Sequence, residues 1–358
     1  ANMGHDVVMT PHSFVYLDYY QSEYNEPLSI GGMLPMDKVY SIDIMPSEID
    51  EEKRKHIIGA QANLWTEYIA DEEHVEYMLF PRLAALAEAL WIPNKLLEYE
   101  GFERRMAAQY VRYDAMGIKY RVPYPQGYEA INLVTVDTVS VELTNGVAGS
   151  DIFYTTDGSE PDERSKRYDG VLALTPAPEI TLKSVTVMPG GRKSAVMAGV
   201  FRKTALNEPA AAGSMKPGLS YTLYRGEFGS VMDIGTDMVS EGVTPAVRIP
   251  DGAPTENFGL QMEGYIMVPS DGIYSFYTNS DDGVRVWIND ELVVDGDKFH
   301  HGIINEGRAA LKAGIHNITV RYFQRLYRQS LSLNWEGPGV ARQPVPAELL
   351  FHHASAED

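Results

Sequence analysis

Trp65 and Glu67 stand two residues apart at the end of the run Gly59-Ala60-Gln61-Ala62-Asn63-Leu64-Trp65-Thr66-Glu67, which follows the apolar approach Ile57-Ile58. An indole face beside a carboxylate can hold an apolar group and accept a hydrogen bond at one place. A second ending of the same kind is Tyr16-Leu17-Asp18, where a phenol and a carboxylate follow the strand-like His5-Asp6-Val7-Val8-Met9-Thr10. Read from the residues alone, Asp18 and Glu67 are a candidate general acid and base, because two carboxylates in unlike surroundings can divide those roles. The plainer readings are a core tyrosine at a strand end, an ordinary packing indole, and carboxylates taken up by ion pairs.

Such side chains work together only if two strand ends are brought to one place. In a (β/α)8 barrel the carboxyl ends of the strands face the reaction site, so Trp65 and Glu67 would point at substrate. Residues 1–122 mix strand and helix signals in a way that suits two βα units. Asp71 is placed to cap a helix running through Trp91, and 102–116 carries Met106, Tyr110 and Tyr113 at helical spacing before Gly117 as a stop signal. From 123 to 204 the texture changes to short alternating runs: Val134-Thr135-Val136, Val139-Ser140-Val141, Ile152-Phe153-Tyr154, Ile180-Thr181-Leu182 and Val185-Thr186-Val187. Broken by Gly and Pro, they predict a small immunoglobulin-like β-sandwich. Residues 205–218, with Pro209, Ala210-Ala211-Ala212-Gly213 and Pro217, read as a linker. The block 219–358 is again all-β, with strands expected around 265–268, 272–277, 284–288 and 318–323, and predicts a larger sandwich. The fold class expected is therefore multidomain, α/β followed by all-β.

Composition removes several functions. The chain has 358 residues, with 50 acidic against 30 basic and a formal charge of -20, and no long Lys/Arg block. A phosphate-neutralising surface is missing, so nucleic acid is not an expected partner. Cysteine is absent, which removes disulfides, thiol nucleophiles and thiolate metal sites. No apolar run reaches the roughly 18 residues of a spanning helix, so no membrane-spanning segment is expected.

The first block resembles the carboxyl-terminal end of the catalytic barrel of glycoside hydrolase family 20, the β-N-acetylhexosaminidases. Tyr16-Leu17-Asp18 matches the family's seventh barrel strand and loop, and Trp65-Thr66-Glu67 its eighth. Asp37-Lys38-Val39-Tyr40 and the Pro81-Arg82 helix fit between and after them. The second block resembles the small sandwich that follows many such barrels, through Tyr154-Thr155-Thr156-Asp157-Gly158-Ser159-Glu160-Pro161, Tyr168 and Ser194. The third is similar to protective-antigen-type β-sandwiches, through 272–276, 280–288 and the turn Gly314-Ile315-His316.

The resemblance implies hydrolysis of terminal N-acetylhexosamine from glycans, with the substrate's acetamido oxygen attacking the anomeric carbon in place of a protein nucleophile. It implies that Tyr16 hydrogen-bonds the acetamido carbonyl oxygen and that Trp65 walls the pocket around the acetamido methyl. It makes Asp18 and Glu67 acceptors for ring hydroxyls, which displaces the acid and base reading of this pair. The family's acid pair is an adjacent Asp-Glu at the fourth strand, and nothing in this chain matches it. Eight strands close a barrel, so two βα units would leave an open edge, and the rest of the barrel is expected upstream or in another chain. The expected partner is an N-acetylhexosamine-containing oligosaccharide. Export to the periplasm or cell surface is inferred from that kind of substrate.

No cofactor is required by the resemblance. In some adhesins with a protective-antigen-type domain two consecutive aspartates hold calcium, and Asp281-Asp282 occupy the matching place. The same dipeptide before Gly283 also makes a turn whose carboxylates bind local N–H groups. The pairs His300-His301 and His352-His353 read as surface residues. Tyr274 and Phe276 share one strand face and default to core. The alternative function is a non-catalytic carbohydrate-binding or adhesion polypeptide that works through its sandwiches.

Overall fold

The computed structural model describes residues 1–354 apart from 23, 212 and 300–302, so His300 and His301 lie outside the described residues. The chain divides into two compact units, one of Ala1–Asn132, Thr138–Thr175 and Glu179–Phe201, the other of Leu133–Asp137, Pro176–Pro178 and Arg202–Asp358. Most of its regular structure is β-sheet.

The first unit opens with β1 (Val7–Met9), the single turn α1 (His12–Val15), α2 (Met36–Tyr40) and β2 (Ile57–Ala60). β1 and β2 pair in parallel, with Val7 opposite Ile57 and Met9 opposite Ala60. The run 57–65 is thus a strand only over its first four residues. Three helices follow: α3 (Glu72–Leu79), α4 (Arg82–Trp91) and α5 (Tyr99–Met116). Asp71 caps α3 by accepting the His74 N–H at 2.8 Å, which satisfies one orphan donor of the first turn. The single helix expected from Asp71 to Trp91 is two. Proline disfavours helical geometry at the residue before it, and Phe80 is accordingly extended (φ -106, ψ 134). Pro81 then serves as the N-cap of α4.

Helix α5 buries Phe102, Met106, Tyr110 and Tyr113 on one face and ends at Gly117, which is left-handed (φ 77). Its carbonyl ends are met by the Gly117 and Ile118 N–H groups, a closure that glycine adopts without a Cβ penalty. This face packs into one core with Val15, Leu17, Leu34, Val39, Ala85 and Tyr120.

Beyond α5 come β3 (Ile131–Val134), β4 (Val139–Val141), β5 (Asp151–Thr155), β6 (Lys166–Arg167), β7 (Leu172–Leu174), β8 (Glu179–Val187) and β9 (Met197–Lys203). They form a five-stranded sheet of order β3-β9-β8-β5-β6 and a separate β4-β7 pair. The two runs 180–182 and 185–187 are one strand, since Lys183 and Ser184 continue the pairing opposite Thr155 and Tyr154. The strand expected at 134–136 lies earlier, at Ile131–Val134.

The second unit holds β10 (Met215–Pro217), β11 (Leu219–Arg225), β12 (Met238–Thr244), β13 (Phe258–Val268), β14 (Gly272–Asp281), β15 (Val284–Ile288), β16 (Glu291–Gly296), β17 (Ile303–Leu311), β18 (Gly314–Gln324), β19 (Ser330–Gly337), β20 (Val340–Pro344) and β21 (Leu350–His353). The end of the expected linker is therefore structured: Met215 to Pro217 pair with His353 to Phe351, and the Asn207 N–H donates to Ala310 O. An eight-stranded sheet carries the path β10-β21-β13-β18-β15-β16 with β11 beside β13 and β12 beside β11, and a four-stranded sheet runs β17-β14-β19-β20. Alternating residues of both sheets meet in one core, including Leu260, Val320, Phe276 and Trp335. Tyr274 and Phe276 do share its inward face, with the Tyr274 ring stacked 5.3 Å from Trp335.

Candidate functional site

The parallel pairing of β1 and β2 continues past both strands. Asn63 donates its N–H to Val15 O at 2.9 Å and accepts the Leu17 N–H at 2.7 Å, so Tyr16 bridges Asn63 in parallel register. That register sets Tyr16 and Asp18 beside Trp65. The Tyr16 ring lies 6.5 Å from the indole at 57° and 5.9 Å from the Tyr19 ring, edge to face.

Asp18 is buried, and its Oδ1 has no hydrogen-bond partner. Burial pushes its carboxyl above the ordinary carboxylate value, and the charge of Glu67 adds to that. Its own backbone N–H, the Arg82 guanidinium and the Trp65 N–H work in the opposite direction. The Tyr19 phenol is also raised, by burial first and then by Asp18 and Tyr16. Trp65 is 53% exposed and Glu67 is exposed. The four residues Tyr16, Asp18, Trp65 and Glu67 are therefore neighbours. One carboxylate is desolvated and one faces water.

Behind them lies Arg82, fully buried at the start of α4. Its five N–H groups all meet carbonyl oxygens: Nη2 reaches Leu17 O at 2.6 Å and Met78 O at 2.7 Å, Nη1 reaches Tyr19 O at 3.0 Å and Leu34 O at 2.9 Å, and Nε reaches Met78 O at 3.2 Å. Burial pulls this guanidinium down to about 9, which leaves it cationic at neutral pH. Between the carbonyls that Arg82 holds, Asp18 O accepts the Ser29 hydroxyl at 2.5 Å. The loop carrying Ser29 closes on the site through Gly32, whose φ of 73° and contact with the Tyr19 ring leave no room for a side chain. It is tied to α3 by the Gln21 amide on Tyr77 O at 2.7 Å and by Glu26, which accepts from Tyr77 and Arg121. Arg82 and Ser29 were not among the site residues expected from the sequence. An arginine heading the apolar run Leu83-Ala84-Ala85-Leu86 is a signal of a satisfied buried cation, whereas nothing local marks Ser29.

The second candidate place is Asp281-Asp282, where β14 ends. Both residues are buried. Tyr322 donates its hydroxyl to Asp281 O, and Asp282 Oδ2 accepts the Arg325 N–H at 2.8 Å. That acceptor bond reaches across to the end of β18 and is not a local turn contact. Among the described residues, no group of three or more His, Cys, Asp or Glu could hold a metal ion.

Residues 1–94 match the family model of glycosyl hydrolase family 20, catalytic domain. Residues 141–201 match the model described as Fn3 associated, and 216–349 match the PA14 domain. The match to the glycosyl hydrolase family 20 catalytic domain thus falls on the first block, and over most of its length the chain is similar to β-hexosaminidases. A β-hexosaminidase of Porphyromonas gingivalis is 33% identical over 333 residues, which is 89% of this chain and 42% of that protein. A β-N-acetylhexosaminidase of Cellulomonas fimi is 32% identical over 122 residues, 34% of this chain and 24% of the relative. The chain thus spans less than half the length of these curated relatives. A PA14 domain of the MpAFP antifreeze protein aligns with a TM-score of 0.36 and 12% identity, over 42% of this chain and 97% of that one.

Proposed function

We propose that this chain is the carboxyl-terminal part of an exo-acting β-N-acetylhexosaminidase that releases terminal N-acetylhexosamine by substrate-assisted, retaining catalysis, with the acid pair supplied by polypeptide outside it. The observation that carries the reading is the meeting of Tyr16, Asp18, Trp65 and Glu67 where the paired strands β1 and β2 end. In it, 1–122 is the last part of a (β/α)8 barrel, 123–204 an immunoglobulin-like sandwich and 219–358 a protective-antigen-type sandwich, and the site faces an exported glycan.

Each side chain then has one task. The Tyr16 hydroxyl donates to the acetamido carbonyl oxygen, which orients that oxygen on the anomeric carbon and stabilises the oxazolinium ring as charge develops. Trp65 lies against the acetamido methyl and favours N-acetylated sugars over plain hexoses. Asp18 and Glu67 accept ring hydroxyls, and a charged acceptor holds an O–H more strongly than a neutral one does. The indole exposure of Trp65 and the unpartnered Asp18 Oδ1 both suit a surface that is completed by sugar.

The test is hydrolysis of aryl N-acetyl-β-glucosaminides and galactosaminides by the longer polypeptide that carries this chain. Release is expected, with β-configured sugar as the first product by proton NMR. The rate should fall stepwise as the acetamido methyl is fluorinated, because the internal nucleophile weakens. A rate indifferent to fluorination would exclude substrate assistance, and no hydrolysis at all would end the enzyme reading.

The match of 216–349 to the PA14 domain favours a second reading, in which the sandwiches bind carbohydrate without catalysis. Here Asp281 and Asp282 would hold calcium. Their carboxylates are hard oxygen donors of the kind calcium takes, and the rest of a shell of about six to eight oxygens would have to come from backbone, amide or water. Calorimetry of the chain with calcium is expected to give a saturable heat that Asp281→Asn abolishes, and no heat above dilution would remove the ion from the account.

A further inference from the structure

Three consecutive carbonyls, those of Leu17, Asp18 and Tyr19, are each bound by a side chain from elsewhere in the fold. Arg82 takes the outer two through Nη2 and Nη1 at 2.6 and 3.0 Å. Ser29 takes the middle one at 2.5 Å. Ser29 is itself buried, and its backbone N–H and hydroxyl engage Tyr20 and Gly31. The segment has left the β1 and β2 pairing after Leu17, so without these donors its buried carbonyls would lose their partners.

We propose that Arg82 and Ser29 are positioning residues that fix the Leu17–Tyr19 peptide units and so hold the Asp18 carboxylate at the point where a substrate hydroxyl meets it. This role rests on the hexosaminidase reading above. A desolvated carboxylate with one oxygen unpartnered gains by rotating toward water. Bracing its backbone on both sides and at its own carbonyl removes the local motion that would let it do so. The acceptor is thereby set before sugar arrives, and no reorganisation has to be spent when the hydroxyl binds. Arginine is the residue type the geometry needs. Its planar fork serves four carbonyl oxygens at once from a buried position, whereas the ammonium of lysine has three donors at a single point.

The test is a double-mutant cycle in the longer hexosaminidase, with kcat and KM measured on an aryl N-acetylglucosaminide. Ser29→Ala and Arg82→Lys are each made in the unaltered enzyme and in an Asp18→Asn background. Each is expected to lower kcat/KM by about 10-fold to 100-fold when Asp18 is intact, the scale of a misplaced reacting or binding group. The loss should shrink to within about 2-fold when Asp18 is already Asn, because residues that act through a shared partner are not additive. A residue with a merely structural role would lose the same factor in both backgrounds, and that result would overturn the proposal. So would Ser29→Ala keeping full kcat/KM. If Arg82→Lys fails to fold, the Ser29→Ala cycle decides alone. If the unaltered protein hydrolyses nothing, or Asp18→Asn costs nothing, the functional reading falls first and takes this role with it.

Discussion

Tyr16 and Asp18 are two residues apart and would contribute to the same reaction in opposite ways. On the hexosaminidase reading the Tyr16 hydroxyl matters most when charge builds on the acetamido group, so its loss belongs in kcat. Tyr16→Phe in the longer enzyme is expected to lower kcat by about 10²-fold to 10³-fold, the range seen when one preorganised donor is removed, with a much smaller change in KM. Equal losses in both parameters would show that the tyrosine only shapes the pocket. Asp18 carries a cost to the fold. Because its carboxyl is raised by burial, the folded chain holds that proton more tightly than the unfolded chain does. Stability therefore falls as pH rises from the ordinary carboxylate value through the raised one, and the penalty is complete above it. Asp18→Asn is expected to melt no lower than the parent chain at neutral pH while weakening sugar binding. The difference in melting temperature should close as pH falls below the ordinary carboxylate range. A variant that melts lower at neutral pH, with the gap closing in acid, would mean that the carboxylate is a net stabiliser, held by Arg82 more than it is penalised by burial.

At the scale of elements, periodic signals were legible and boundaries depended on single residues. The buried face of α5 was readable from Met106, Tyr110 and Tyr113, and its end from Gly117, because helical spacing and a left-handed stop are local properties. Gly117→Ala is expected to destabilise the unit by about 1 kcal/mol. A Cβ there meets nothing within 4 Å, so the cost is conformational alone, and thermal unfolding of the chain measures it. What could not be read was whatever depends on partners distant in sequence. The break at Phe80-Pro81 was visible in the proline, but the apolar run through it read as continuous. The pairing of Met215 to Pro217 with the last strand turns the end of an apparent linker into sheet. Ser29 is bound to Asp18 across eleven residues of irregular loop, where no periodicity exists to mark it. The sequence motif carried the four candidate side chains, whereas the residues that brace them are set by tertiary geometry.

The first unit contains a parallel pair whose outward positions are apolar. Val8 is 45% exposed and Ile58 is 64% exposed, on adjacent strands of a two-stranded sheet. Parallel sheets are ordinarily covered on both faces, and the hexosaminidase reading supplies the cover from barrel polypeptide outside this chain. That reading makes the same substitution act with opposite sign in two contexts. In the chain alone, Val8→Ser with Ile58→Ser removes apolar surface from water and is expected to leave the melting temperature unchanged or higher while reducing self-association in light scattering. In the longer enzyme those side chains would be buried, and each is expected to cost about 1.5–3 kcal/mol on truncation, seen as a lower denaturant midpoint. Equal effects in the two proteins would mean that this face stays open to solvent in both. The open face would then be a surface of the mature molecule, and the strands that complete the site would have to be sought elsewhere.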